Sequence, residues 1–133
     1  DGASKHTEFY LHTLGQYLKY FDGQPVVFTD IQAPPASAAP DGFIRLKKAL
    51  GVEGTKPGSA VELELDGVGG LSGEVDFANE NFLGLRTADT LYRFFGRNAF
   101  GATVGMTVHD FSGRGDSAST AEAWDRFFEK VYA

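Results

Sequence analysis

Cysteine is absent from this chain of 133 residues, which excludes disulfides, thiolate metal ligation, thiol nucleophiles and cysteine-held clusters. Histidine is scarce: His6, His12 and His109 are the whole supply, with no pair at i, i+4. A metal shell lacks the ligands it needs, and no metal or other cofactor is expected. Cations are outnumbered, with 12 Lys and Arg against 18 Asp and Glu and a net charge of -6. Nucleic acid is therefore not an expected partner, because affinity for a phosphate backbone depends on clustered cations. No apolar run approaches the ~20 residues of a membrane span, and no basic-then-apolar leader precedes the first helix. The chain opens at Asp1 rather than at a methionine, so it is expected to be a trimmed or processed product or a piece of something longer.

What is present is enough for a core. Hydrophobic residues make up 42% and Phe alone supplies 12 residues, and a length near the roughly 100–200 residues of one domain leaves no room for two. From Glu8 to Phe21 the apolar residues recur at helical spacing, with Asp22-Gly23 as a stop. This segment, residues 1–23, is read as an N-terminal helix. Pro25 to Gln32 is rich in β-branched and aromatic residues and reads as a strand, broken at Ala33-Pro34-Pro35. Asp41 is placed to cap a short helix that turns Phe43, Leu46 and Leu50 inward and closes at Gly51.

The period then changes from helical to alternating. Val61, Leu63 and Leu65 alternate with Glu62 and Glu64, and a second run places Leu71, Gly73, Val75 and Phe77 on one face. Phe82–Thr87, Leu91–Arg97 and Thr103–Phe111 supply three more strands, and short strands joined by tight turns predict an antiparallel meander. Ser119 and Glu122 stand at capping-box spacing before Trp124, Phe127, Phe128 and Val131, which share one helix face. Exposing that face would forfeit roughly 1.5–3 kcal/mol per large side chain, so this helix is expected to lie across the sheet.

Chemistry-bearing motifs are few. No Gly-x-Ser-x-Gly elbow occurs, and Gly67-Val68-Gly69-Gly70 lacks the Lys-Ser/Thr of a phosphate loop and reads as a glycine-rich hairpin. Glu8 and His12, one turn apart, read as an exposed helix pair. Parity puts His109 opposite the apolar face of Val104, Met106 and Val108, as a surface residue rather than a base. Asp76, Asn79, Glu80 and Asn81 read as turn chemistry, and Phe100 as a plug over the core. Leu91–Arg97 is ambiguous because both faces are apolar. With Tyr92 and Phe94 inward Arg93 is solvated, the favoured placement; with Leu91 and Phe95 inward it enters the interior and needs a partner.

A strand, a helical break at an Ala-Pro-Pro step, a meander from Val61 to Phe111 and a closing helix around Glu122-Ala123-Trp124-Asp125-Arg126-Phe127-Phe128 resemble the START-like family often called SRPBCC. The likeness is to bacterial members similar to the activator of Hsp90 ATPase, and it covers residues 24–133. It implies an α+β helix-grip fold: a curved antiparallel sheet of about six strands with a long C-terminal helix packed across it, and often an apolar cavity between them. The expected function is non-enzymatic binding of a small apolar or aromatic molecule in that space, in a cytoplasmic protein. Alternatives are an aromatase/cyclase-type enzyme acting on a polyketide-like substrate, and a co-chaperone-like interaction module. Parity and helical phase aim Val75, Phe77, Leu85, Met106 and Val108 from the strands, with Trp124 and Phe128 from the helix, at that interior. Arg93 joins this candidate set in the alternative register. No catalytic or metal residue is assigned. Because one sheet face is already taken, the N-terminal helix is expected to bury its apolar face against a second copy or a missing upstream domain, or else to serve as a cover.

Overall fold

A computed structural model describes residues 2–133, with side chains from Lys5 onward. The elements run α1 (Gly2–Tyr20), β1 (Val27–Gln32), α2 (Gly42–Leu50), β2 (Ala60–Leu65), β3 (Gly69–Ala78), β4 (Phe82–Thr87), β5 (Thr90–Phe95), β6 (Gly105–Asp110) and α3 (Ser117–Val131). Short 3-10 turns at Pro35–Ala38 and Arg97–Phe100 join β1 to α2 and β5 to β6. All strands pair antiparallel in the order β1-β6-β5-β4-β3-β2. This is the α+β helix-grip arrangement, a meander from β2 to β6 closed by the first strand and crossed by the last helix. Among the described residues no helix is long and apolar enough to cross a membrane.

The local signals explain the elements, with three revisions. Gly51 ends α2 in the left-handed region at φ 75° and donates its N–H to Lys47 and Lys48, a conformation that costs glycine little. Asp41 precedes α2 but its side chain makes no capping bond. Asp116, rather than Ser119, caps α3: its carboxylate accepts from the Ser119 N–H at 3.1 Å. Asp caps at least as well as Ser and comes first in the chain, so Ser119 falls in the first turn and Glu122 pairs with Arg126 instead. Phe100 does not plug the core: it is 41% exposed and touches the His6 ring.

Two layers cover the sheet, one on each face. On one face α3 and α2 enclose the main core, which includes Ile31, Leu46, Leu83, Phe94, Trp124 and Phe128. Tyr132 donates its hydroxyl to the Gly42 carbonyl at 2.8 Å, and Arg45 donates to the Val131 carbonyl at 2.7 Å, tying the two helices together. On the other face lies α1. Phe9 packs with Phe77, Phe82 and Phe95, and Phe21 with Leu91 and Phe111. Phe9 of α1 and Phe21 just beyond its end are thus covered by the chain's own sheet, as in the cover reading, whereas Tyr10, Leu14 and Leu18 of the same expected stripe stay more than half exposed. Parity explains why. Both faces of β5 are apolar, the pattern of a strand buried on both sides, and α1 supplies the missing layer.

Candidate functional site

Six of the eight candidate residues meet where parity and helical phase aim them. Val75, Leu85, Met106, Val108, Trp124 and Phe128 lie between the sheet and α3, each at most 2% exposed. Trp124 stands 5.8 Å from both Tyr92 and Phe94 and 5.5 Å from Phe127, ring centre to ring centre. With so little surface open to water, these side chains pack mainly against one another, and only Val108 and Trp124 border an open cavity, of about 340 Å³, between the sheet edge and the start of α3.

Phe77 and Arg93 belong to the other face. The β3–β4 register runs Val75↔Leu85 and then Phe77↔Gly84, so Asp76 is an extra, bulged residue. A bulge breaks the strict alternation of a strand. Val75 therefore packs toward α3, whereas Phe77 packs on Phe9 of α1. In β5, Tyr92 and Phe94 join the α3 layer and Arg93 points away from it, as in the favoured register. Arg93 is nevertheless 1% exposed rather than solvated, because α1 closes that face.

The bulge delivers Asp76 to Arg93. Arg93 Nη1 and Nη2 donate to the two Asp76 carboxylate oxygens at 2.7 and 2.8 Å, and Nη2 also reaches the Leu85 carbonyl at 3.4 Å. His12 of α1 completes the cluster, its Nε2 lying 2.9 Å from Asp76 Oδ2, so the expected pairing of His12 with Glu8 gives way to a tertiary bond. Gly84 makes room, since a Cβ there would stand 2.5 Å from Arg93 Nη1. Burial, the largest effect, lowers the proton affinity of the Arg93 guanidinium, and its hydrogen bonds to Asp76 offset this in part. Beyond the cluster, Arg86 anchors α1 by donating to Gln16 at 2.6 Å and lying over the Tyr20 ring at 3.9 Å, while its other arm pairs with Glu74. Asn79 does supply turn chemistry, accepting from the N–H groups of Asn81 and Phe82 at 2.9 Å each.

Beside this cluster a groove of about 420 Å³ opens between α1 and the β1–β6–β5 surface. Tyr10, Thr13, Leu14 and Tyr17 form the helix wall at i, i+3, i+4 and i+7. The sheet side presents Val26, Phe28 and Asp30, then Leu91, Arg93 and Phe95, then Thr107, His109 and Phe111, every one of them an alternate position of its strand or its extension. Phe28 is 52% and Tyr10 53% exposed, so the groove opens to solvent along its aromatic edges. His109 occupies the face parity gives it, yet on a groove floor. Burial first, and the Arg93 charge second, push its pKa down to about 4, so at neutral pH it is an uncharged ring, 3.1 Å from Thr107 Oγ1 and edge-on to Phe28. Two buried polar atoms of groove residues lack a hydrogen-bond partner: Arg93 Nε and Thr13 Oγ1.

Tyr10, Thr13, Tyr17 and Phe28 were not legible as a site, because the groove exists only once α1 is laid on the sheet. A signal was nevertheless present. Val26 and Phe28 are apolar residues on the side of β1 facing away from the α3 core, in phase with Leu91 and Phe95 on β5. Comparison with protein-family models, with curated proteins and with solved structures gives no match for this chain.

Proposed function

We propose that this chain is a non-enzymatic START-like binding module for a small apolar or aromatic molecule, and that the molecule is held in the groove under α1 rather than between the sheet and α3. The groove carries this reading: it is concave, walled by aromatic and aliphatic side chains, with a few polar groups on its floor, which is how small-molecule sites are built. The strand order, with its helical excursion after β1 and its closing helix, supports the START-like part. Rings along the walls favour a flat aromatic guest, since stacked or edge-on pairs add about 0.5–1.5 kcal/mol beyond burial. A cyclase needs an acid or base poised near neutral pH, and His109, pushed down to about 4, is a poor candidate for that work.

Naphthalene-type compounds titrated into wild type by calorimetry should bind saturably, and Phe28→Ala should weaken them about 5–10-fold, the worth of one aromatic contact. Emission from Trp124, on the far side of the sheet, should stay constant while a Phe28→Trp reporter responds. No saturable heat with any compound overturns the reading. A Trp124 response without one from the reporter returns the guest to the α3 side.

A further inference from the structure

The floor of the groove also constrains what the guest must carry. Arg93 and Asp76 neutralise each other through two hydrogen bonds, both side chains at most 2% exposed. Arg93 therefore offers no net charge that an anion could claim without taking Asp76's partner away, and its guanidinium repels a cation. What it keeps is one N–H, at Nε, with no acceptor. Thr13 Oγ1, from the helix wall opposite, is likewise unpartnered and buried. A buried donor without an acceptor costs about 1–3 kcal/mol, so two of them beside one groove favour a ligand that brings an acceptor. The remaining formal charges of the lining, Asp30 and Arg97, are one of each sign and leave the groove without net charge. His109 is engaged with Thr107 at 3.1 Å, Asp30 accepts from Gln32 at 3.0 Å, and Arg97 lies over the Phe95 ring at 4.6 Å.

We propose that the groove selects an uncharged aromatic compound bearing a carbonyl-type acceptor, an aryl ketone or its like, whose oxygen is taken by Arg93 Nε–H and the Thr13 hydroxyl while its rings lie against Tyr10, Tyr17 and Phe28. This deepens the binding-module reading and rests on it. A carbonyl oxygen has two lone pairs, enough for both donors, and it brings no charge to be desolvated. A hydrocarbon of the same shape would leave both donors unpaired. A carboxylate would have to shed its hydration beside Asp76, whose charge is already committed.

Calorimetry with three probes of one ring system tests this: 2-acetylnaphthalene, 2-isopropylnaphthalene and 2-naphthoate. The ketone should bind wild type about tenfold more tightly than the hydrocarbon, the worth of two hydrogen bonds near the low end of their net range, and more tightly than the anion. Thr13→Val, which keeps the side-chain shape and removes the hydroxyl, should shrink that preference to about threefold or less. Equal binding of ketone and hydrocarbon, tightest binding of the naphthoate, or a ketone preference that survives Thr13→Val overturns the acceptor assignment and leaves the groove reading standing. Failure of all three probes to bind overturns the groove reading itself. Arg93 is left intact because removing it strands Asp76.

Discussion

Asp76 shows how one residue redirects a strand. Inserted as a bulge between Val75 and Phe77, it sends Phe77 to the α1 face and brings its own carboxylate to Arg93. Burying two charges gains little against an apolar pair of the same volume, but leaving one of them alone is expensive. Arg93→Met should therefore cost about 3–5 kcal/mol in urea melts, because Asp76, at 2% exposure, loses its counter-charge. The double variant Arg93→Met with Asp76→Leu should recover most of that loss. If the double variant is as unstable as the single one, the pair is not what makes the single costly. None of this was legible from alternation, which predicts Val75 and Phe77 on one face. A bulge leaves no mark in hydrophobic periodicity when the residues on both sides of it are apolar.

Among the elements, the closing helix was the most legible and the first helix the least. The stripe of Trp124, Phe127 and Phe128 requires a partner, and a meander with one apolar face supplies it. The stripe of α1 also requires a partner, but the sequence offers no way to choose between a second molecule and the back of its own sheet. Burial gives part of the answer: Phe9 is 0% and Trp124 2% exposed, so the two helices hold opposite faces with comparable anchors, while Leu14 and Leu18 of the α1 stripe stay more than half exposed. Phe9→Ala and Trp124→Ala should each cost about 3–5 kcal/mol, the usual range for deleting a buried large aromatic. Urea denaturation followed by circular dichroism measures both. A loss under about 1 kcal/mol for Phe9→Ala would show that α1 is a detachable cover, and the same for Trp124→Ala would remove it from the core.

For the molecule as a whole, covering both faces of one sheet places a neutral histidine where water would otherwise be. The unfolded chain takes up a proton at His109 near its ordinary pKa of 6.5, whereas the folded protein resists until about 4. Between these values the unfolded state holds more protons, so stability falls as pH is lowered through the window and is restored above it. From pH 7 to pH 5 the loss assigned to His109 is about 2 kcal/mol. Thermal or urea stability of His109→Gln should be flatter than wild type across that interval, and parallel curves would show that the groove floor does not hold His109 neutral.

Composition and periodicity by themselves determined the fold class, the order of elements, the aromatic anchor of α3 and most of the side chains packed beneath it. Those follow from local rules, since a strand shows alternation and a helix shows a stripe whatever lies against them. Tertiary structure alone decided what covers the second face of the sheet, the burial of Arg93 with Asp76 and His12, and the existence of a groove. Each of these depends on α1 meeting residues some 64 positions away, as in the His12–Asp76 bond. Local periodicity carries no record of which apolar face pairs with which, because the hydrophobic effect that drives the pairing is proportional to area and blind to partner.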